Sequence, residues 1–199
     1  MRNDDKITGI ILAGGKSSRM GKDKGYCTLK GKPMVMYAVD LLSQVCDTII
    51  ISSNNPDYEE FGYPVITDEI KNIGPIGGIY TGLIHSKSEH NFFLSCDTPK
   101  VSEHLVNYIL SEREDFEIVI PLYNGLPEPL CAYYNKNITS ELFEIIKTGN
   151  FKIQEVVKRF KVKFLPIDSS LFFYSKGLFT NINSQNDLDN IEKKADPGK

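Results

Sequence analysis

The sequence predicts an α/β fold built on a mostly parallel, doubly wound sheet. Three observations carry that expectation. Short β-rich apolar runs alternate with helical patterns along all 199 residues. Several of those runs are almost continuously apolar, such as Ile49-Ile50-Ile51 and Phe92-Phe93-Leu94, which suits strands covered on both faces. No internal repeat, low-complexity tract or linker interrupts the alternation. Strands that alternate with helices fold as parallel neighbours joined by right-handed crossovers.

The elements follow in order. A first strand is expected at Ile7–Leu12, and it runs into a glycine-rich loop. A helix begins at Pro33, whose fixed φ suits a first helical turn. The run Thr48–Ser52 and residues 64–67 give two more strands, and a helix starts near Gly77. Residues 92–95 form a strand, followed by a helix with Ser102 as its N-cap. Strands are expected at 116–121 and 130–134, then helices from Asn137 and near Lys152. A strand at 163–166 precedes a last helix from Ser184, where Asp187 three residues on makes a near capping box. Residues 1–192 are expected to form one domain. Residues 193–199 are polar, contain Pro197-Gly198, and are expected to fray.

Composition narrows the function classes. A quarter of the residues are charged and the net charge is −3. Lysines and arginines are scattered, so the basic stripe of a nucleic-acid-binding protein is missing from the sequence. No apolar run reaches a membrane-spanning length, and the first residues lack the apolar stretch of a signal peptide. The four cysteines, Cys27, Cys46, Cys96 and Cys131, form no C-x-x-C pair and read as reduced thiols, three of them in apolar surroundings. A cytoplasmic location follows as the expectation. His85, His90 and His104 have no metal-ligand spacing, and no Ser/His/Asp or Cys/His constellation stands out.

In sheets of this kind ligands sit beyond the carboxyl ends of the strands. That rule selects the loop after Leu12, the segment at Asp68, and the segment at Asp97. In Leu12-Ala13-Gly14-Gly15-Lys16-Ser17-Ser18-Arg19-Met20-Gly21-Lys22-Asp23-Lys24, a buried strand ends in two glycines and is followed by basic residues. Glycines let the backbone approach a phosphate and turn its N–H groups toward it. Arg19 and Lys24 supply matching positive charge. The dinucleotide fingerprint G-x-G-x-x-G is absent, and the P-loop spacing fails because Lys22 is followed by Asp23. Asp97 ends the apolar run before Thr98-Pro99. It is either a turn cap or a hard oxygen ligand, and beside a phosphate loop the ligand reading, for Mg²⁺, is the stronger.

The first of these segments closely resembles the L-A-G-G-x-x-x-R-M-G-x-x-K signature of the molybdenum cofactor guanylyltransferase family. The resemblance continues in order through Asp68, the Gly74-Pro75-Ile76-Gly77-Gly78 segment, the Cys96-Asp97-Thr98-Pro99 segment, Pro129-Leu130 to Tyr134, and Phe179-Thr180-Asn181-Ile182-Asn183. It implies a single-domain, three-layer Rossmann-like nucleotidyltransferase fold. It implies transfer of GMP from GTP to molybdopterin carrying molybdenum, with Mg²⁺ as the cofactor. By resemblance Leu12, Ala13, Gly14, Gly15, Lys24, Ser52, Asp68, Gly74, Gly78 and Asp97 bind the nucleotide. The family often has Asn where this chain has Ser52. By the same resemblance Arg19, Lys24 and Asp97 would carry the catalysis, Asp97 would hold the metal, and Pro129, Asn181 and Asn183 would face the acceptor; the two asparagines could equally help close the metal site, or only satisfy the turn and cap the last helix. A molybdoenzyme or a cofactor-delivery protein would receive the product. A related enzyme using CTP or a sugar-phosphate acceptor, and a non-catalytic nucleotide-binding protein, are the alternatives.

Overall fold

The structure is a computed structural model and describes residues 5–14, 23–182 and 187. Its strands are β1 (Ile7–Leu12), β2 (Thr28–Leu29), β3 (Lys32–Pro33), β4 (Thr48–Ser52), β5 (Val65–Ile66), β6 (His90–Ser95), β7 (Ile118–Tyr123), β8 (Leu126–Pro127), β9 (Cys131–Asn135) and β10 (Val162–Ile167). Its α-helices are α1 (Met34–Leu42), α2 (Pro75–His85), α3 (Glu103–Ser111), α4 (Thr139–Lys147) and α5 (Ile153–Val156). The main sheet runs β10-β7-β9-β6-β1-β4-β5, with β8 added beside β7.

Each buried strand divides its side chains between two apolar layers, as the two-residue pleat requires. Ile11, Ile51, Phe92 and Leu94 join Leu42 of α1 and Leu105 and Ile109 of α3 on one face. Ile10, Ile50, Phe93 and Tyr134 join Ile79 and Leu83 of α2 and Leu142 and Ile146 of α4 on the other. The result is three layers, helices–sheet–helices, which explains the unbroken apolar runs of β4 and β6.

The sheet is parallel through β6, β1, β4 and β5, and again between β7 and β10. The exceptions are β8 and β9, which run antiparallel to their neighbours. Both follow a two-residue turn, Asn124-Gly125, with φ of 52° and 77°. That Asn-Gly pair is the left-handed turn of a tight hairpin, which reverses the chain without a crossover helix. A second such turn, Lys30-Gly31, joins β2 to β3.

Most expected elements appear within two residues of their bounds. The strand expected at 64–67 shrinks to the two residues of β5. Pro33 ends β3 and stands at the N-cap of α1, one position earlier than a first-turn proline. Ser102 caps α3 and accepts from the Leu105 N–H at 3.4 Å. Gly74 caps α2 with φ +73° and ψ −159°, a conformation open to glycine. Ser184 and residues 193–199 lie outside the described residues. No helix among the described residues is long and apolar enough to cross a membrane.

Candidate active site

Three parallel strands bring the chemistry to one edge. The register pairs Leu12 with Ser52 and Leu12 with Ser95, so β1, β4 and β6 end at the same level. The ladder extends one step further: Ala13 N–H donates to Ser52 O at 2.9 Å, and Cys96 N–H to Leu12 O at 3.1 Å. Gly14 and Asp97 therefore leave the sheet from adjacent strand ends. Gly14 is exposed at the head of the loop.

Lys24 closes the gap between the two segments. Its Nζ lies 3.1 Å from Asp97 Oδ2, and the two side chains are 27% and 14% exposed. Ser95 Oγ donates to Asp97 Oδ1 at 2.6 Å, so both carboxylate oxygens are engaged and the rotamer is held. Ile182 N–H donates to Asp97 O at 2.9 Å, which draws the segment at Asn181 against the same carboxylate-bearing turn.

The backbone around Lys24 is fixed from the neighbouring strand end. Asp23 caps the 3₁₀ turn Lys24–Tyr26 by accepting from Gly25 N–H at 3.2 Å. It also accepts from the hydroxyl of Tyr58 and from Asn55 Nδ2 at 3.4 Å. Tyr58 is fully buried, and burial, with the Asp23 carboxylate second, pushes its hydroxyl pKa up, so it remains a donor. A Cβ on Gly25 would stand 2.2 Å from the Tyr58 oxygen, so this turn tolerates only glycine. Burial likewise raises the Cys96 thiol, which makes it a protonated core group beside Asp97.

The third segment forms the other wall. Asp68 follows β5, and its Oδ2 accepts from Asn54 Nδ2 at 2.9 Å while its N–H donates to Asn54 Oδ1 at 3.2 Å. Gly78, in the first turn of α2, packs so closely on β1 that a Cβ there would stand 2.9 Å from Leu12 Cδ2. The same point is 3.4 Å from Ser52 Oγ and 3.8 Å from Asp68 Oδ1. Ser52, Asp68 and Gly78 thus share one corner, with Gly74 at the helix start behind it.

Pro129 lies on the opposite side of Asp97. Leu130 O accepts from Ser95 N–H at 2.9 Å, and Pro129 O accepts from the Tyr134 hydroxyl at 2.8 Å. Asn181 is exposed nearby in sequence to the Ile182 contact. Gly15, Arg19 and Asn183 lie outside the described residues. Lys152, Lys158 and Arg159 flank the short α5 segment ahead of β10, and Lys152 pairs with Glu155 at 3.1 Å. Sequence reasoning missed Ser95, Asn54, Asp23 and Tyr58. Ser95 carried a signal, a hydroxyl two residues before a strand-end acid. The contacts of Asn54 and Tyr58 span 14 and 35 residues and leave no local signature.

The donor chemistry at Asp97 suits a small hard cation. The carboxylate is partly accessible at the edge, already carries one cationic partner, and belongs to no cluster of three potential metal-ligating side chains among the described residues. Such a site fits an ion that arrives with phosphate oxygens and keeps its own waters, rather than an ion caged by protein.

A three-layer α/β fold with a glycine-led loop, a lysine and a carboxylate at the carboxyl edge of its sheet is the arrangement of a nucleotide-binding protein, and similarity to known proteins makes the class a nucleotidyltransferase. Residues 9–162 match the MobA-like NTP transferase domain, and the chain belongs to that family. It is 36% identical over 198 residues to a protein of Natranaerobius thermophilus named probable molybdenum cofactor guanylyltransferase, covering 95% of this chain and 96% of the relative. It is 32% identical to the molybdenum cofactor guanylyltransferase of Vibrio vulnificus, covering 90% and 91%. The crystal structure of molybdopterin-guanine dinucleotide biosynthesis protein A from Archaeoglobus fulgidus superposes with a TM-score of 0.80 at 25% identity, over 96% of this chain and all of that one.

Proposed function

We propose that this nucleotidyltransferase moves GMP from GTP to molybdopterin carrying molybdenum, releasing pyrophosphate and forming molybdopterin guanine dinucleotide. The observation that supports it most is the 3.1 Å approach of Lys24 to Asp97, where the phosphate loop and the acidic turn meet.

The chemistry is a displacement at the α-phosphorus. An oxygen of the acceptor's terminal phosphate forms the new P–O bond in line, and the bond to the β-phosphate oxygen breaks with its electron pair leaving on pyrophosphate. The acceptor is already an anion, so positioning and charge neutralisation carry the rate rather than a strong base. Leu12, Ala13 and Gly14, with Gly15, offer backbone at the strand end for the phosphates. Lys24 has three donors, so it can stay with Asp97 and still reach a phosphate oxygen. Arg19 adds a forked cation for the transferring group. Asp97 is the residue that would hold Mg²⁺, which when bound neutralises charge on the departing pyrophosphate. Asp68 accepts from the guanine N–H groups, with Ser52, Gly74 and Gly78 around the base and ribose. Pro129, Asn181 and Asn183 border the acceptor. The dinucleotide then passes in the cytoplasm to a molybdoenzyme or a delivery protein.

The test is incubation with GTP, Mg²⁺ and molybdenum-loaded molybdopterin, followed by mass spectrometry of the products. Molybdopterin guanine dinucleotide is expected from the parent and none from Asp97→Ala, with the same Tm for both. Full guanylyl transfer by Asp97→Ala would remove that residue from the mechanism. CTP outperforming GTP in pyrophosphate release would favour a related nucleotidyltransferase.

A further inference from the structure

We propose that Asn54 sets base selection at this site by aiming the Asp68 carboxylate. This rests on the assignment of Asp68 as the acceptor for guanine N–H groups.

The contact is reciprocal. Asn54 Nδ2 donates to Asp68 Oδ2 at 2.9 Å, and Asn54 Oδ1 accepts from Asp68 N–H at 3.2 Å. Only a primary amide offers both a donor and an acceptor in that fork; a carboxylate lacks the donor. The bonds fix both the backbone and the side chain of Asp68. Little else does so, because Asp68 follows a strand of two residues at the sheet edge, paired on one side only with β4. With Oδ2 occupied, Oδ1 remains turned toward the corner of Ser52 and Gly78.

Asn54 is itself held on both sides. Ser53 N–H donates to Ile66 O at 2.9 Å, and Ser53 Oγ accepts from Asn55 N–H at 3.2 Å. Asn55 Oδ1 accepts from Asp57 N–H at 3.0 Å, and Asn55 Nδ2 donates to Asp23 beside Lys24. The backbone that carries the Asn54 amide is therefore fixed by both of its neighbours, although the residue is exposed.

A carboxylate in a fixed orientation separates purines sharply. Guanine presents an N1–H and an exocyclic amine on one edge, both donors. Adenine presents a lone pair at N1, which faces a carboxylate unfavourably. A carboxylate free to rotate pairs less well with the first and evades the second, so selectivity falls from both directions.

The experiment measures equilibrium binding of GTP, ATP and inorganic triphosphate, each with Mg²⁺, to the full chain and to Asn54→Ala, Asn54→Asp and Asp68→Ala. In Asn54→Ala the preference for GTP over ATP is expected to fall about tenfold, the scale of one charge-assisted hydrogen bond. Affinity for inorganic triphosphate and the Tm should stay unchanged. Asn54→Asp should lose at least as much, because a second carboxylate replaces the donor. Loss of preference in Asp68→Ala with none in either Asn54 variant would confine selection to Asp68 and overturn the positioning role. Unchanged preference in Asp68→Ala would overturn both that role and the assignment beneath it. Equal weakening toward all three ligands in Asn54→Ala would mark a loosened loop and also overturn the proposal.

Discussion

Lys24 and Asp97 meet at 3.1 Å in a partly buried setting, where a full charge is worth more than at an open surface. Removing the ammonium takes away the phosphate contact proposed for it and also leaves Asp97 with the Ser95 hydroxyl as its side-chain partner. Lys24→Ala should therefore weaken GTP binding and slow the chemistry together, lowering kcat/KM by about 100-fold, the scale of one lost transition-state donor. Steady-state pyrophosphate release checks this, and unchanged kinetics would count against Lys24. Ser95→Ala is a gentler probe, since it frees one carboxylate oxygen without removing charge. A drop of about tenfold in kcat is expected, with GTP affinity little changed. The nearness of Lys24 to Asp97 was legible in part: Asp97 stands two residues past the end of β6, and Lys24 belongs to the basic, glycine-bearing run that follows β1. Ser95, Asn54 and Tyr58 act through partners fixed by sheet register and loop packing, which periodicity and motif spacing do not encode.

Among the elements, α2 depends on glycine for its closeness to the sheet. A Cβ at Gly82 would stand 2.7 Å from Phe93 Cε1 and 3.0 Å from Ile10 Cδ1 and Cγ2, and both of those residues are fully buried. Alanine raises helix propensity by up to about 1 kcal/mol. Overpacking against side chains that cannot move costs about 1–3 kcal/mol, so the clash wins. Gly82→Ala is expected to destabilise the fold by about 1–2 kcal/mol and to lower the Tm by several degrees, read by thermal unfolding. Kinetic constants of the folded fraction should hold, because Gly82 lies on the core side of the helix. The strands β1 and β4 were legible to the residue from apolar runs. The antiparallel setting of β9 was not, since an apolar run looks the same in either direction. Its signal was local, in Asn124-Gly125, a hairpin pair set between two apolar runs that otherwise fit βαβ units.

On the scale of the whole molecule the sheet has two differently used edges. The carboxyl edge gathers Gly14, Lys24, Asp68 and Asp97, while the amino edge holds a partly buried polar cluster around the start of β6. There His90 Nδ1 lies 2.8 Å from the Tyr133 hydroxyl, and Asn135 Nδ2 donates to Tyr133 and to Glu89. Burial, and next the positive charge of Arg113, hold the His90 pKa below its ordinary 6.5, against smaller opposite effects of Glu89 and Asp5. The sign follows from proton counting. Between the lowered folded value and the ordinary unfolded one, the unfolded chain binds more protons, so stability rises with pH across that window and is lost as pH falls through it. His90→Gln keeps a polar partner for Tyr133 but cannot titrate. The parent should therefore lose more Tm than His90→Gln when pH drops from about 7.5 to about 5.5. Equal losses would mean that His90 is not the residue that titrates in this window. Because the cluster lies at the edge opposite Asp97, the pH dependence of pyrophosphate release should be the same in parent and variant at temperatures where both are folded. A change in that profile would show that the two edges are coupled through β6, the strand whose first residue is His90 and whose last is Ser95.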